Sequence, residues 1–342
     1  MATLMESSRS VVGIGHSPST ARGHTDGQQI SFVLLAYNQE RFIRDAVESV
    51  LAQDYGCLEI ILSDDASTDA TFEIMSEMAA AYHGPHKVTL RRNVTNLGLI
   101  NHLVSVIEVT TSEYIIAAAG DDISETHRAS AIARILESRP FLVCSGYSTI
   151  DLTGRPVAHE RSDEDMLSGD IRRIAVSTAL YVGATAAWHR DLFRMFPPIS
   201  RQGSYEDLVL GYRAALLGRI EYIPESLVRY RVGGGMTTTR TDWKKAAQRT
   251  ATARISSLQQ RLLDTRHFSP DRNDLIKRIE NQIKIERAIL ALSSNHRDFL
   301  RLYSWNPKVI RYLSKVAARR LRRSFLSHVK GGEMRHEHGR TT

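Results

Sequence analysis

Two adjacent carboxylates, Asp121 and Asp122, follow Gly120 directly after the apolar run Tyr114–Ala119. The run reads as a buried strand. The pair then sits on a loop just past its C-terminal end, the edge at which open α/β sheets bind ligands. Two acidic side chains repel each other there unless a cation stands between them and a ligand. Hard divalent ions such as Mg²⁺ or Mn²⁺ take carboxylate oxygen and share it with substrate phosphates. The pair therefore suggests a metal-bridged diphosphate site. A plain acidic loop after a strand is the alternative.

Three further stretches carry side chains of the same potential. Ala36-Tyr37-Asn38 closes the apolar run Ile30–Ala36, and Tyr37 either stacks on a nucleobase or caps the strand. The stretch Asp64-Asp65-Ala66-Ser67-Thr68-Asp69 follows a second apolar run. A carboxylate there accepts the imide N–H of a uracil or thymine, or belongs to a turn and helix cap. Tyr205-Glu206-Asp207 precedes a helix bearing Leu208, Leu210, Tyr212 and Leu216. Acids at a helix start are favoured by the macrodipole. The functional reading is a general base, since attack of a hydroxyl on a sugar's anomeric carbon needs a carboxylate near that hydroxyl.

The elements that must position these groups alternate in period. Residues 30–36 form a continuous apolar run, as a buried parallel strand requires. Residues 40–52 carry Ile43, Ala46, Val47, Val50 and Leu51 at helical spacing. Strands are expected at 58–63, 87–90 and 114–119, and helices after Asp69, over 99–109 and over 128–136. This rhythm argues a mostly parallel Rossmann-type α/β sheet flanked by helices, with right-handed crossovers. Residues 141–150 and 156–159 flank a turn at Thr153-Gly154, which suggests an added hairpin. Beyond about Thr241 the pattern becomes helical. Ile276, Ile279, Ile283 and Ile289 form one stripe, and Asn306-Pro307 opens another helix.

The chain has 342 residues, 42% hydrophobic and 24% charged, enough for one large or two ordinary packed domains. Cys57 and Cys144 form no CxxC pattern, which excludes a zinc ribbon or disulfide framework and suits a reducing cytosol. Residues 1–28 are rich in Ser, Gly and Thr and are expected to be a disordered leader without a secretory signal. No window reaches the ~18 apolar residues of a membrane span, so a soluble or peripheral protein is expected. The net charge of +7 is uneven. Residues 305–342 hold ten Lys/Arg against two Glu, 10 − 2 = +8, leaving the remainder at 35 − 36 = −1. A helix there, opposing Ile310, Leu313, Ala317, Leu321 and Phe325 to Lys308, Arg311, Lys315, Arg319, Arg322 and Arg323, fits an anionic membrane surface. It fits equally a face packed on the protein or on a second subunit of a homo-oligomer. His328, His336 and His338 read as a solvated tail rather than a metal cluster.

Taken in order, the motifs resemble the inverting glycosyltransferase family 2, which has the GT-A fold. They are LLAYNQE at 34–40, EIILSDDASTDAT at 59–71, NLGLINHL at 96–103, SEYIIAAAGDD at 112–122, YEDLVLGYRAALLGRIEYIP at 205–224 and LVRYRVGG at 227–234. The resemblance spans residues 30–235 and looks like the branch that makes bacterial surface polysaccharides. It implies a nucleotide-sugar donor, with UDP or dTDP favoured over GDP, and a divalent Mg or Mn cofactor. It also implies a glycan or lipid-linked acceptor and a cytoplasmic protein, peripheral on the inner membrane if the basic helix binds lipid.

Carried over, Ala36, Tyr37 and Asn38 line the base pocket, and Asp65 bonds the base. Asp121 sits by the ribose or sugar, and Asp122 ligates the metal. Asp207 is the catalytic base, and Glu206 positions the acceptor. Asn96 and Asn101 either contact the nucleotide or cap the helix they flank. Leu35 stands where many members have Pro. The segment 230–236 lacks the His that often follows Tyr-Arg, so Arg231 either supplies the charge facing the diphosphate or pairs with an acid in the fold. The expected organisation is a leader over 1–28, a GT-A domain over 29–240 and a helical region over 241–342. A nucleotidyltransferase of similar fold would want a Gly-rich basic loop after the first strand, and residues 37–41 have no glycine. Nucleic-acid binding through the tail is disfavoured by the few aromatics among its arginines.

Overall fold

The structure is a computed structural model that describes residues 28–56, 58–160, 166, 168–199, 203–233 and 243–294. The expected leader, Cys57 and the basic helix over 305–329 lie outside the described residues, as does the boundary near 240.

The first half follows the expected rhythm. Strand β1 (Ile30–Ala36) leads to helix α1 (Ile43–Leu51), β2 (Glu59–Asp64), α2 (Thr71–Ala80), β3 (Lys87–Arg92), α3 (Leu99–Ile107) and β4 (Tyr114–Ala119). These four strands run parallel in the order β3-β2-β1-β4. Their side chains alternate between two cores. Phe32, Leu34, Ile60, Leu62 and Ile116 face α1 and α2, while Val33, Ile61 and Ile115 face the side holding α3.

The second half is mixed. Strand β5 (Ile123–Ser124) and α4 (Arg128–Ala133) precede β6 (Leu142–Ile150), which forms the expected hairpin with β7 (Pro156–Glu160). Gly154 takes φ +83° at the turn, which glycine adopts without a Cβ penalty. Helix α5 (Ile171–Ile174), β8 (Ala187–His189) and α6 (Asp191–Arg194) lead into α7 (Glu206–Leu217) and β9 (Ile220–Arg231). The sheet continues β4-β8-β6-β9-β5, with β8 antiparallel to both neighbours and β6 parallel to β9. A bulge shifts the β6–β9 register at Gly146, where a Cβ would meet the Pro224 carbonyl at 2.8 Å.

Helices α8 (Trp243–Phe268) and α9 (Asn273–Ser294) pack behind α7. Leu275, Ile279 and Ile283 are the buried face of α9, with Ile276 and Ile289 at its margin. The buried face of α8 is instead largely polar: Ser257, Gln260, Arg261, Asp264 and Thr265 are all inaccessible. Each finds a partner. Arg213 of α7 grips Asp264 through two bonds of 2.8 and 3.0 Å, and Tyr212 Oη meets Thr265 Oγ1 at 2.6 Å. Removing one member of such a buried pair leaves a bare charge, at a cost of about 3–5 kcal/mol. Among the described residues no helix is long and apolar enough to cross a membrane.

Candidate active site

The C-terminal ends of β1, β2 and β4 lie side by side, so three of the four acidic or aromatic loops meet by construction. Asp65 N–H donates to Ala36 O at 2.9 Å, and Gly120 N–H to Leu35 O at 3.0 Å. Gly120 has no room for a side chain, because a Cβ would collide with Gln39, Ile43 and Ala36.

The loop after β1 is fastened to the loop after β2. Asn38 takes φ +52°, an αL conformation that Asn tolerates better than most residues. Its N–H donates to Ser67 Oγ at 2.9 Å, and its Oδ1 accepts from Thr68 N–H at 2.8 Å. Ala36 is buried, whereas Tyr37 is 38% exposed and presents a ring to solvent at the sheet edge. Asp64 is a buried anchor: it accepts from Ser67 and pairs with Arg92 at 3.2 Å. The helix after this loop begins at Thr71, where Asp69 Oδ1 accepts the Thr71 N–H at 3.0 Å.

Asp65 is tied to the segment 93–98. Its Oδ1 accepts from Asn93 Nδ2 at 2.7 Å and Leu97 N–H at 2.9 Å, and its Oδ2 from Gly98 N–H at 2.9 Å. Of four acceptor positions, one on Oδ2 remains for a base. Beneath it, Arg91 donates to Asn93 Oδ1 and Ser63 Oγ, and Ser63 Oγ meets His102 Nε2 at 2.6 Å. Burial presses His102 down to about 4 against the opposing pull of Asp65, with a smaller push from Arg91, so it is neutral at physiological pH. Asn96 Oδ1 accepts from Gly98 N–H, and Asn101 Nδ2 donates to Leu97 O. Both asparagines thus serve the start of α3.

Asp122 is only 5% exposed, and its two oxygens differ. Oδ1 accepts the Arg231 N–H at 2.8 Å, while Oδ2 is buried with no hydrogen-bond partner. Burial, reinforced by the neighbouring Asp121 charge, pushes Asp122 up to about 8. Burial also raises Asp121, against Arg231 and a hydrogen bond from Gln39. Arg231 itself is buried. It donates from Nε to Asp121 O at 2.9 Å, meets Asp45 at 3.5 Å and lies over the Phe42 ring at 4.6 Å. Of its two sequence readings, the observed contacts match pairing with acids of the fold. The orphaned Oδ2 fits a divalent cation. Among the described residues no three ligating side chains cluster, so a cation here would complete its shell with phosphate oxygens and water, as Mg²⁺ commonly does.

Glu206 and Asp207 open α7, with Tyr205 extended before them. Asp207 Oδ1 accepts the Leu208 N–H at 2.7 Å. The Glu206 carboxylate lies against Gly183, where a Cβ would collide with it. Burial and then the Asp207 charge raise Glu206 to about 8; burial raises Asp207 to about 6, against the pull of Arg261. Two titratable groups pushed apart in this way suit separate acid–base roles.

Tyr230 lies within electrostatic reach of Asp122, Asp121 and Glu206, and sequence reasoning missed it. It stacks edge-on against Tyr147 at 5.8 Å. Burial, followed by the charges of Asp122, Asp121 and, more weakly, Glu206, raises it to about 12, so one hydroxyl feels the Asp121-Asp122 pair and Glu206. The available signal was its place beside Arg231 at a strand end.

Four raised carboxyls give the fold a sign. Between the ordinary carboxylate range near 4 and these values, the folded chain holds protons the unfolded chain has lost, so stability falls as pH rises. The metal-free protein is expected to be more stable at pH 5 than at pH 8 by on the order of 1–3 kcal/mol, several degrees in Tm. Calorimetry across that range checks it.

The arrangement of a parallel β3-β2-β1-β4 half and a mixed half, with acidic loops at the strand ends, is that of the GT-A fold. Two solved structures share the fold. Mannosyltransferase PcManGT from Pyrobaculum calidifontis, in complex with GDP-Man and Mn²⁺, matches with TM-score 0.55 at 16% identity, over 87% of this chain and 81% of that one. S. aureus TarS 1-349, in complex with UDP-GlcNAc, matches with TM-score 0.51 at 17% identity, over 79% and 82%. Residues 31–196 match the family model described as Glycosyl transferase family 2. An uncharacterized glycosyltransferase of Haemophilus influenzae is 26% identical over 227 residues, 61% of this chain and 67% of its own length. The chain spans less, 39% and 58%, of relatives from Bacillus subtilis and Mycobacterium bovis.

Proposed function

We propose that the protein is a metal-dependent inverting glycosyltransferase. In this reading it moves a hexosyl or deoxyhexosyl group from a nucleoside-diphosphate donor to a hydroxyl of a glycan or lipid-linked acceptor in cell-surface polysaccharide synthesis. The observation that carries the reading is the buried, partnerless Oδ2 of Asp122 within the electrostatic reach of a hydroxyl, Tyr230, that also feels Glu206. Displacement at an anomeric carbon requires a cation-binding carboxylate for the departing diphosphate and a second carboxylate to take the acceptor's proton. PcManGT with GDP-Man and Mn²⁺, and TarS with UDP-GlcNAc, support a nucleotide-sugar donor.

The chain's own residues divide the work. Tyr37 stacks on the base and Asp65 accepts its imide N–H, which favours UDP or dTDP over GDP. Asp122 holds the cation with Asp121 toward the donor's sugars; the cation, when bound, neutralises charge on the diphosphate. Glu206 orients the acceptor. Asp207 takes the hydroxyl proton as the oxygen bonds the anomeric carbon and the bond to diphosphate breaks.

The test is a thermal-shift screen of UDP-, dTDP- and GDP-sugars with and without Mn²⁺. A ligand at 100 times its Kd stabilises by about 2.7 kcal/mol. Stabilisation by a uridine or thymidine donor, and only with the cation, is expected. Equal stabilisation by nucleoside triphosphates, with pyrophosphate release, would instead indicate nucleotidyl transfer.

A further inference from the structure

We propose that Arg261, on the C-terminal helix α8, is a positioning residue that fastens the first turn of α7 and so holds the Asp207 carboxylate in place as the base. This rests on the reading of Asp207 as base. Helix α8 lies beyond the matched segment 31–196, yet it ties both flanks of Glu206-Asp207. On one flank Ser257 Oγ accepts the Tyr205 N–H at 2.9 Å. On the other, Arg261 Nε donates to Leu208 O at 2.8 Å.

The rest of the guanidinium is equally committed. Nη1 donates to Ile174 O, Ala175 O and Ser177 O at 3.1, 3.2 and 2.9 Å, and so gathers the end of α5 against α7. Arg261 is fully buried, and Nη2 has no hydrogen-bond partner. Every bond it makes goes to a neutral carbonyl. A buried cation so placed needs a counter-charge, and the carboxylate that acts on it most strongly is Asp207, ahead of Asp264. The attraction is mutual, since Arg261 is the one charge that favours ionised Asp207. The other titratable groups about this pair are Glu206 and Tyr212 on α7, the Tyr212 ring lying 5.7 Å from the guanidinium, and Tyr181, whose Oη accepts from Trp188 Nε1 at 3.0 Å and which feels both acids; Tyr230 on β9 feels Glu206.

The experiment compares wild type, Arg261→Gln, Arg261→Lys and Ser257→Ala in the full chain. Two measurements are made: the pH dependence of kcat, and the titration of Asp207 followed by ¹³C NMR of aspartate-labelled protein, assigned with Asp207→Asn. In Arg261→Gln the acid limb of kcat and the Asp207 midpoint are expected to rise together. Below the limb kcat falls about tenfold for each unit of rise, with donor KM within about twofold. Arg261→Lys restores part of both. A folded Arg261→Gln whose limb and midpoint match wild type overturns the proposal. Should that variant not fold, Arg261→Lys and Ser257→Ala decide: an upward shift in the first and lowered kcat without a shift in the second support it, and wild-type behaviour in both overturns it. If wild type turns over no donor, the base reading fails, while the NMR titration still reports whether Arg261 governs Asp207.

Discussion

Asp207→Asn is expected to lower sugar transfer by roughly 10²–10⁴-fold, the range for loss of a positioned general base, while donor binding stays near wild type. The substitution keeps the shape. An asparagine Oδ1 can still accept the Leu208 N–H that Asp207 accepts at 2.7 Å, so the first turn of α7 keeps that bond. What is lost is the ability to take a proton. Because Asp207 is raised to about 6, wild-type kcat should fall as pH drops through that value, and the limb should vanish in the variant. Single-turnover assays with saturating donor and acceptor check the rate. Thermal shift with donor and Mn²⁺ checks that binding survives. Full activity in Asp207→Asn would move the base elsewhere, and Glu206, raised further by burial and by Asp207, would be the next group to test.

The parallel half of the sheet was legible because its signal is local. Continuous apolar runs at 30–36 and 114–119 set β1 and β4, and a loop must follow each, so Tyr37, Asp65 and Asp122 were placed at one edge before any contact was known. The mixed half was less so. Strand β9 is irregular opposite Gly146, and the unpaired residues Pro224, Glu225 and Leu227 break the two-residue alternation that marks a strand. Helix α8 was opaque for another reason. Its buried face is Ser257, Gln260, Arg261, Asp264 and Thr265, and a stripe of polar residues reads as solvent-facing until the partners on α7 are known. The same limit explains Arg231 and Asp65. Their partners, Asp122 and the 93–98 segment, lie 109 and 28–33 residues away in the chain, beyond any spacing argument.

Asp122→Asn separates the two meanings of a buried carboxylate, because they predict opposite changes in stability. Were Asp122 only part of the fold, its loss would weaken the protein. The structure argues the reverse for the metal-free state. Oδ2 is buried without a partner, and the group is raised to about 8, so at pH 8 the fold carries a half-ionised acid that burial and Asp121 both oppose. Asparagine keeps an oxygen for the Arg231 N–H and removes the charge conflict. Metal-free Asp122→Asn is therefore expected to melt no lower than wild type at pH 8, and higher by on the order of 1 kcal/mol, while the gap narrows toward pH 5, where Asp122 in the wild-type fold is protonated and carries no charge. Turnover should nonetheless fall by at least about 10²-fold, in keeping with loss of a group that stabilises the leaving diphosphate, and the Mn²⁺-dependent rise in Tm with donor should disappear. Stability gained where function is lost is the pattern of a site kept strained for its ligand. A variant that melts several degrees lower, yet still shows the Mn²⁺-dependent shift, would return Asp122 to the fold and leave Asp121 to hold the cation.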